Sequence, residues 1–263
     1  MQKRHTDRKM YFHDLEVTSK EFYIDYVSKF TTLNPKSRIL EVGCGEGGNL
    51  APFAKLGCSV TGVDIAECRI KEAQQYFADV SNNSKFVCCD FTKYPIPQKE
   101  DDKYDVILLH DVIEHIPIKK EFLSHLKGFI KKTGILFVGF PAWQMPFGGH
   151  QQICRSKLCS HLPFIRLLPN PLYTALLKSC HEDDFTRKEL LSIKECRTSI
   201  ELFETLTKEC GYTVANKEYW FINPHYKQKF NLTPRILPPF MWNLRYIRNF
   251  FTTSCWYILK ATA

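Results

Sequence analysis

With 263 residues, 44% of them hydrophobic, the chain can bury one full α/β core, and its length suits a single domain carrying an insertion better than two domains. No run approaches the ~18 apolar residues of a transmembrane helix, and Met1 to Met10 is polar, so neither a membrane span nor a signal peptide is expected. Eleven cysteines, with Cys88 and Cys89 side by side, argue against a disulfide framework and for a reducing cytoplasm.

Thr18-x-x-Glu21 reads as a capping box opening an amphipathic helix through Phe22, Ile24, Val27 and Phe30, a lid over the first strand. Strands and helices then alternate. Strand Arg38 to Val42 is followed by helix Asn49 to Leu56, strand Ser59 to Val63, helix Glu67 to Ala78 and strand Phe86 to Cys89. After a polar linker come strand Tyr104 to Leu109, helix Lys120 to Lys131 and strand Ile135 to Phe140. This rhythm, with strands apolar on both faces, predicts a parallel sheet flanked by helices. From Ala142 to Arg187 the rhythm breaks, and residues 142–187 read as a mostly helical, substrate-covering insert within the one domain, 1–263. Helix Ile200 to Cys210, strand Tyr212 to Ile222 and a last strand Phe250 to Leu259 resume the core.

The stretch Ile39-Leu40-Glu41-Val42-Gly43-Cys44-Gly45-Glu46-Gly47-Gly48 carries the clearest chemistry. An apolar strand running into glycines makes a loop whose backbone can approach a nucleotide-like ligand closely. Gly43, Gly45 and Gly48 also satisfy Gly-x-Gly-x-x-Gly, so the glycines alone leave a nicotinamide cofactor open. Glu41 tips the balance, because a carboxylate there suits a ligand with a cationic methionine end and serves a pyrophosphate badly. Asp64 ends the second strand 19 positions past Gly45, placed to accept both hydroxyls of a ribose.

At these residues the chain resembles the class I S-adenosylmethionine-dependent methyltransferases, whose loop reads Glu/Asp-x-Gly-x-Gly-x-Gly, here Glu41, Gly43, Gly45 and Gly47. The resemblance implies a doubly wound, Rossmann-like seven-stranded sheet with an antiparallel C-terminal hairpin, and S-adenosyl-L-methionine as cofactor. It sets Cys44 with the loop glycines and Ile65 beside Asp64 against that cofactor. Asp90 matches the position that accepts the adenine amino group, with Phe91 to pack on the ring.

The run Tyr104 to Ile116 resembles the small-molecule branch, including ubiquinone-biosynthesis O-methyltransferases, whose fourth strand ends in Val/Leu-x-Glu-His. That match implies that His110 lies beside the methionine portion of the cofactor, while Glu114 and His115 start a helix. His110 and Asp111 are also candidate general bases. His150, after Gly148-Gly149, is the leading candidate for a base or substrate contact, because many relatives place a histidine near here against the transferred methyl. His150, Cys154, Cys159, His161 and Cys180-His181 lack a tight Cys-x-x-Cys pair, so no metal is expected.

The expected function is methyl transfer to a small-molecule, lipid or glycan-precursor acceptor, at oxygen. From Lys217 to Ala263 seven Lys/Arg stand against Glu218 alone, interleaved with aromatic residues. That region suits an anionic lipid surface or a phosphorylated substrate. RNA methylation through it, and cofactor binding without turnover, are the alternatives. Nucleic acid is the less expected partner, since Asn/Asp-Pro-Pro-Tyr/Phe is missing after the fourth strand. Asn223-Pro224-His225-Tyr226 echoes it after the sixth strand and reads as a turn.

Overall fold

The computed structural model describes residues 7–262, so Lys3 and Arg4 of the polar start lie outside the described residues. Strands β1 (Arg38–Val42), β2 (Ser59–Asp64), β3 (Ser84–Cys88), β4 (Tyr104–His110) and β5 (Ile130–Phe140) are parallel neighbours in the order β3-β2-β1-β4-β5. Side chains alternate between the two faces of this sheet. Leu40, Val42, Ile107, Leu109, Leu136 and Val138 enter one apolar cluster, whereas Ile39, Val106, Leu108, Ile135 and Phe137 enter the other. Burial on both faces is why these strands read as unbroken apolar runs.

The sheet continues through β6 (Tyr212–Ile222), β7 (Arg235–Ile236) and β8 (Ser254–Ala261), with β8 antiparallel between β5 and β6. Eight strands therefore replace the seven expected, the extra one being the two-residue edge β7. The final pair β6/β8 is antiparallel as expected, but it is not a tight hairpin, because residues 223–253 intervene. The last strand starts at Ser254, not Phe250, which lies in a 3₁₀ turn.

The N-terminal helix differs from its sequence reading. Helix α1 (Arg8–Thr18) is capped by Asp7, passes through a π turn at Ser19–Tyr23 and continues as α2 (Ile24–Ser28). Thr18 sits inside the helix and donates to the Asp14 carbonyl at 2.8 Å, so it caps nothing. The π turn adds a residue to the ladder and aims Tyr23, fully buried, at the sheet.

Helices α3 (Ala51–Lys55) and α4 (Glu67–Phe77) follow β1 and β2, and α5 (Lys119–Lys127) follows β4. The α5 helix stops at Lys127, and Lys131 already belongs to β5. Between β5 and α9 (Ile200–Glu209) stand α6 (Lys157–His161), α7 (Asn170–Ser179) and α8 (Asp184–Cys196), packed on a small cluster of Cys154, Cys159, Ile165, Tyr173, Leu177 and Leu190.

Trp256 on β8 is fully buried against Tyr23, Tyr26, Phe137 and Trp220, with ring centroids 5.0–5.4 Å away. Its truncation leaves a cavity where sheet and lid helix meet, so Trp256→Ala is expected to cost about 3–5 kcal/mol in urea unfolding. Phe221→Ala, on a side chain 46% exposed, should cost under about 1 kcal/mol. Equal losses for the two would contradict this packing.

Candidate functional site

The crossover between β1 and β4 leaves a crevice at their carboxyl ends, the usual ligand position in an open α/β sheet. A cavity of about 530 Å³ opens there. The loop after β1 turns through φ of +71° at Gly43, +51° at Gly45 and +82° at Gly47, a left-handed path that side chains resist. Asp64, at the end of β2, fixes it: its carboxylate accepts the Gly45 N–H at 2.8 Å and the Ala66 N–H at 2.8 Å. Gly43 and Cys44 N–H donate to the Val63 carbonyl at 2.8 and 3.1 Å, pinning loop to strand.

Behind the loop, Glu41 is buried, and Asn49 Nδ2 donates to its Oε1 at 2.7 Å. Its second oxygen has no partner among the described residues. Burial pushes this carboxyl up to about 8, the Asn49 bond opposing and Asp64 adding to the shift.

The lid helix supplies one wall. Arg8 donates through Nε to Glu46 Oε1 at 2.6 Å, tying α1 to the glycine loop, and Tyr11 lines the cavity beside it. Tyr23 Oη lies 2.7 Å from His110 Nε2, and Thr18 Oγ1 lies 3.0 Å from His225 Nδ1. These bonds join α1 and the π turn to the ends of β4 and β6.

The opposite rim gathers titratable groups from three places. Asp111 and Glu114 follow β4, His150 stands after β5 at φ +55°, and Glu189 comes from α8. The rings of His115 and His150 meet edge to face at 4.7 Å, and Glu189 Oε1 lies 3.9 Å from His150 Nδ1. Burial, with His150 adding to it, pushes His115 down to about 4, so its ring is neutral at ordinary pH. Glu114 is buried with neither oxygen hydrogen-bonded among the described residues, His115 Nε2 lying 4.0 Å from its Oε1; burial and Asp111 hold its carboxyl well above the usual range. Ligand atoms of Glu114, His115 and His150 lie within 4.8 Å of one another, a set able to hold a divalent cation.

Of the residues expected at the site, Gly43, Cys44, Gly45, Asp64, His110, Asp111 and His150 line the cavity. Others do not. Glu41 lies behind the wall; Gly47 faces Phe77 and Phe86; Ile65 is 76% exposed beyond the rim. Asp90 accepts from the Thr92 N–H and hydroxyl at 3.0 and 2.8 Å, capping its own turn. Phe91 is a core residue between Phe122 and Phe129 and offers no face to a ligand. His110 reaches the cavity, but its Nε2 is engaged by Tyr23, which leaves it poorly placed as a base. Asn223-Pro224-His225-Tyr226 is a turn, as read, closed by the Tyr226 N–H on the Asn223 carbonyl at 2.8 Å. It nonetheless lies on the cavity wall, because α1 and β6 converge there. Arg8, Tyr11 and Glu189 were missed; each comes from a helix distant in sequence from the glycine loop, and Arg8 and Tyr11 precede the Thr18 start read for the lid helix.

A parallel sheet with an antiparallel end, a glycine loop after β1 and an acid closing β2 define a Rossmann-like fold. Residues 40–136 match the family model described as a methyltransferase domain. The chain is 30% identical over 127 residues to a ubiquinone biosynthesis O-methyltransferase of Rickettsia felis, covering 48% of this chain and 50% of that one. It is 32% identical over 140 residues to its counterpart in Bartonella tribocorum, covering 51% and 55%. The chain thus spans about half the length of the curated relatives it matches. Among solved structures, magnesium protoporphyrin IX methyltransferase from Synechocystis, with bound S-adenosylhomocysteine, has a TM-score of 0.54 at 18% identity, covering 95% of this chain and 86% of that one. Phosphoethanolamine N-methyltransferase 2 from Haemonchus contortus has a TM-score of 0.56 at 15% identity, covering 91% and 52%. Over the matched residues the chain is thus similar to a methyltransferase domain and to part of the ubiquinone biosynthesis O-methyltransferases.

Folded Glu41 keeps its proton up to about 8, whereas an unfolded carboxyl loses it near 4.5. Between those values the folded chain holds the extra proton, so raising the pH favours unfolding by up to about 1.4 kcal/mol per unit. Glu41→Gln abolishes this slope. Urea titrations should show the variant gaining stability relative to the parent as pH rises from about 5 to 8, and no relative change below about 4.5. A constant difference across that range would contradict the buried, protonated state.

Proposed function

We propose that the protein transfers the methyl group of S-adenosylmethionine to an oxygen of a small-molecule acceptor bound in the 530 Å³ cavity. One observation supports this above the rest: the Asp64-clasped loop and His150 occupy opposite rims of the same cavity. Asp64 retains acceptor capacity for ribose hydroxyls beyond the Gly45 and Ala66 amides. Gly43 to Gly45 lie against the methionine end, with Glu41 charging as the cationic group arrives. Residues 142–187 cover the acceptor.

In the step itself the acceptor oxygen attacks the methyl carbon, the S–CH₃ bond breaks as O–CH₃ forms, and S-adenosylhomocysteine leaves. The hydroxyl proton passes to His150, whose other ring nitrogen faces Glu189. Alignment of the two reactants supplies up to about 7–11 kcal/mol, and a positioned base a further factor of about 10²–10⁴. The lid helix, which excludes water, therefore carries more of the rate than the base does. The eleven free cysteines suit a cytoplasmic setting, and no helix among the described residues is long and apolar enough to cross a membrane. The basic C-terminal region is read as a contact for an anionic lipid surface or a phosphorylated acceptor.

A second reading rests on Glu114, buried without a hydrogen bond among the described residues: with His115 and His150 it would hold a divalent cation, which would supply Lewis acidity toward an acceptor hydroxyl. Chelation separates the two, since turnover that survives metal removal leaves His150 as the base, and turnover that is lost and restored by added cation supports the second.

Calorimetry should show S-adenosylmethionine binding, with Asp64→Ala weakening it at least tenfold, about 1.4 kcal/mol. Undiminished binding by that variant contradicts the proposal. His150→Ala is expected to lower kcat by about 10²–10⁴ with little change in cofactor affinity.

A further inference from the structure

The charge of this chain is segregated. Phe122 to His181 and Tyr219 to Ala263 together hold thirteen Lys/Arg and no Asp or Glu, so all 28 acidic residues lie elsewhere. The two acid-free stretches meet at an open apolar groove of about 440 Å³. Pro146 and Phe164 come from one, and Phe221, Ile247, Phe250 and Phe251 from the other. Phe164 and Phe250 bridge them with ring centroids 6.0 Å apart. Thr253 lines both this groove and the main cavity, so the two openings are neighbours.

Several cations of these stretches are neutralised across the fold: Arg155 by Asp183, Lys227 by Glu21, and Arg248 by Glu201 and Glu204. Lys157, Arg235 and Arg245 remain exposed, and Tyr246 and Ile247 beside Arg245 are 61% and 52% exposed. Exposed aromatic and aliphatic side chains flanked by cations, with no acid nearby in the chain, match the boundary between lipid headgroups and acyl chains. Each cation held near an anionic bilayer contributes about 1 kcal/mol, and the apolar side chains add area-dependent burial. A second copy of the chain would bring like charge against like.

We propose that the face formed by Phe164, Phe221, Ile247, Phe250, Phe251 and the exposed Arg235 and Arg245 docks on an anionic lipid bilayer. The proposal rests on the anionic-lipid reading above and names its surface; it does not depend on methyl transfer. Docking there sets the mouth of the main cavity beside the membrane, where an amphiphilic acceptor would be drawn.

The test is co-sedimentation of the full chain with vesicles of phosphatidylcholine alone, or of phosphatidylcholine with roughly one third phosphatidylglycerol. Binding should be at least about tenfold tighter to the anionic vesicles and should weaken with added salt. Phe250→Ser combined with Ile247→Ser should reduce it at least about fivefold, and Arg235→Glu with Arg245→Glu should abolish the preference for anionic lipid. Urea midpoints confirm that both variants are folded. Equal binding to the two vesicle types, no binding to either, or full binding by both folded variants overturns the proposal. So does a parent that ignores vesicles while forming dimers, or retaining RNA, through the same side chains. Cofactor calorimetry reads the methyltransferase function separately, so either reading can fail alone.

Discussion

The Asp64 carboxylate, accepting the Gly45 amide of the glycine loop through one oxygen and the Ala66 amide of its own turn through the other, is the constraint on which the site depends. A charge-assisted bond such as that from Gly45 contributes about 1.5–3 kcal/mol toward holding a glycine-rich loop that has high conformational entropy when free, and the Ala66 bond fixes the carboxylate that accepts it. The same carboxylate ends β2 and faces the crevice between β1 and β4. One residue therefore shapes the loop, joins it to the neighbouring strand and presents an anion to whatever occupies the cavity.

From that clasp the rest of the site is assembled by long-range contacts. The π turn in the N-terminal helix rotates Tyr23 onto His110, and Arg8 reaches back to Glu46 in the loop itself. The lid is thus bonded to both strands that frame the crevice, which favours a closed, dry site once a ligand is in place. On the far side, α8 delivers Glu189 to His150, while Lys119 anchors the turn after β4 to α8 by donating to the Cys196 carbonyl at 2.8 Å. Glu114, His115 and His150 are held together by these helices, so a cluster able to handle a proton or a cation faces the loop.

The parallel core was legible because burial on both faces makes its strands continuous apolar runs, and each glycine or acid after a strand marks a turn. The two-residue β7 was not legible: Arg235 and Ile236 are both exposed and carry no strand pattern. Phe91 shows the limit of position-by-position transfer. An aromatic after a strand reads alike whether it stacks on a ligand or inserts among Phe122, Phe129 and Tyr94, and here the core takes it. Glu41 does not line the cavity itself, since strand alternation puts it on the buried face it shares with Ile39, where Asn49 donates to it. The approach of His115 to His150, and of Glu189 to both, depends on how the helices after β5 fold back, which no local periodicity encodes.

The most direct measurement is a crystal structure with S-adenosylhomocysteine. The ribose hydroxyls should lie within hydrogen-bond distance of the Asp64 carboxylate, with the sulfur facing the rim that carries His150. A nucleoside bound elsewhere, or an Asp64 that keeps its loop amides and touches no ligand, would contradict the account.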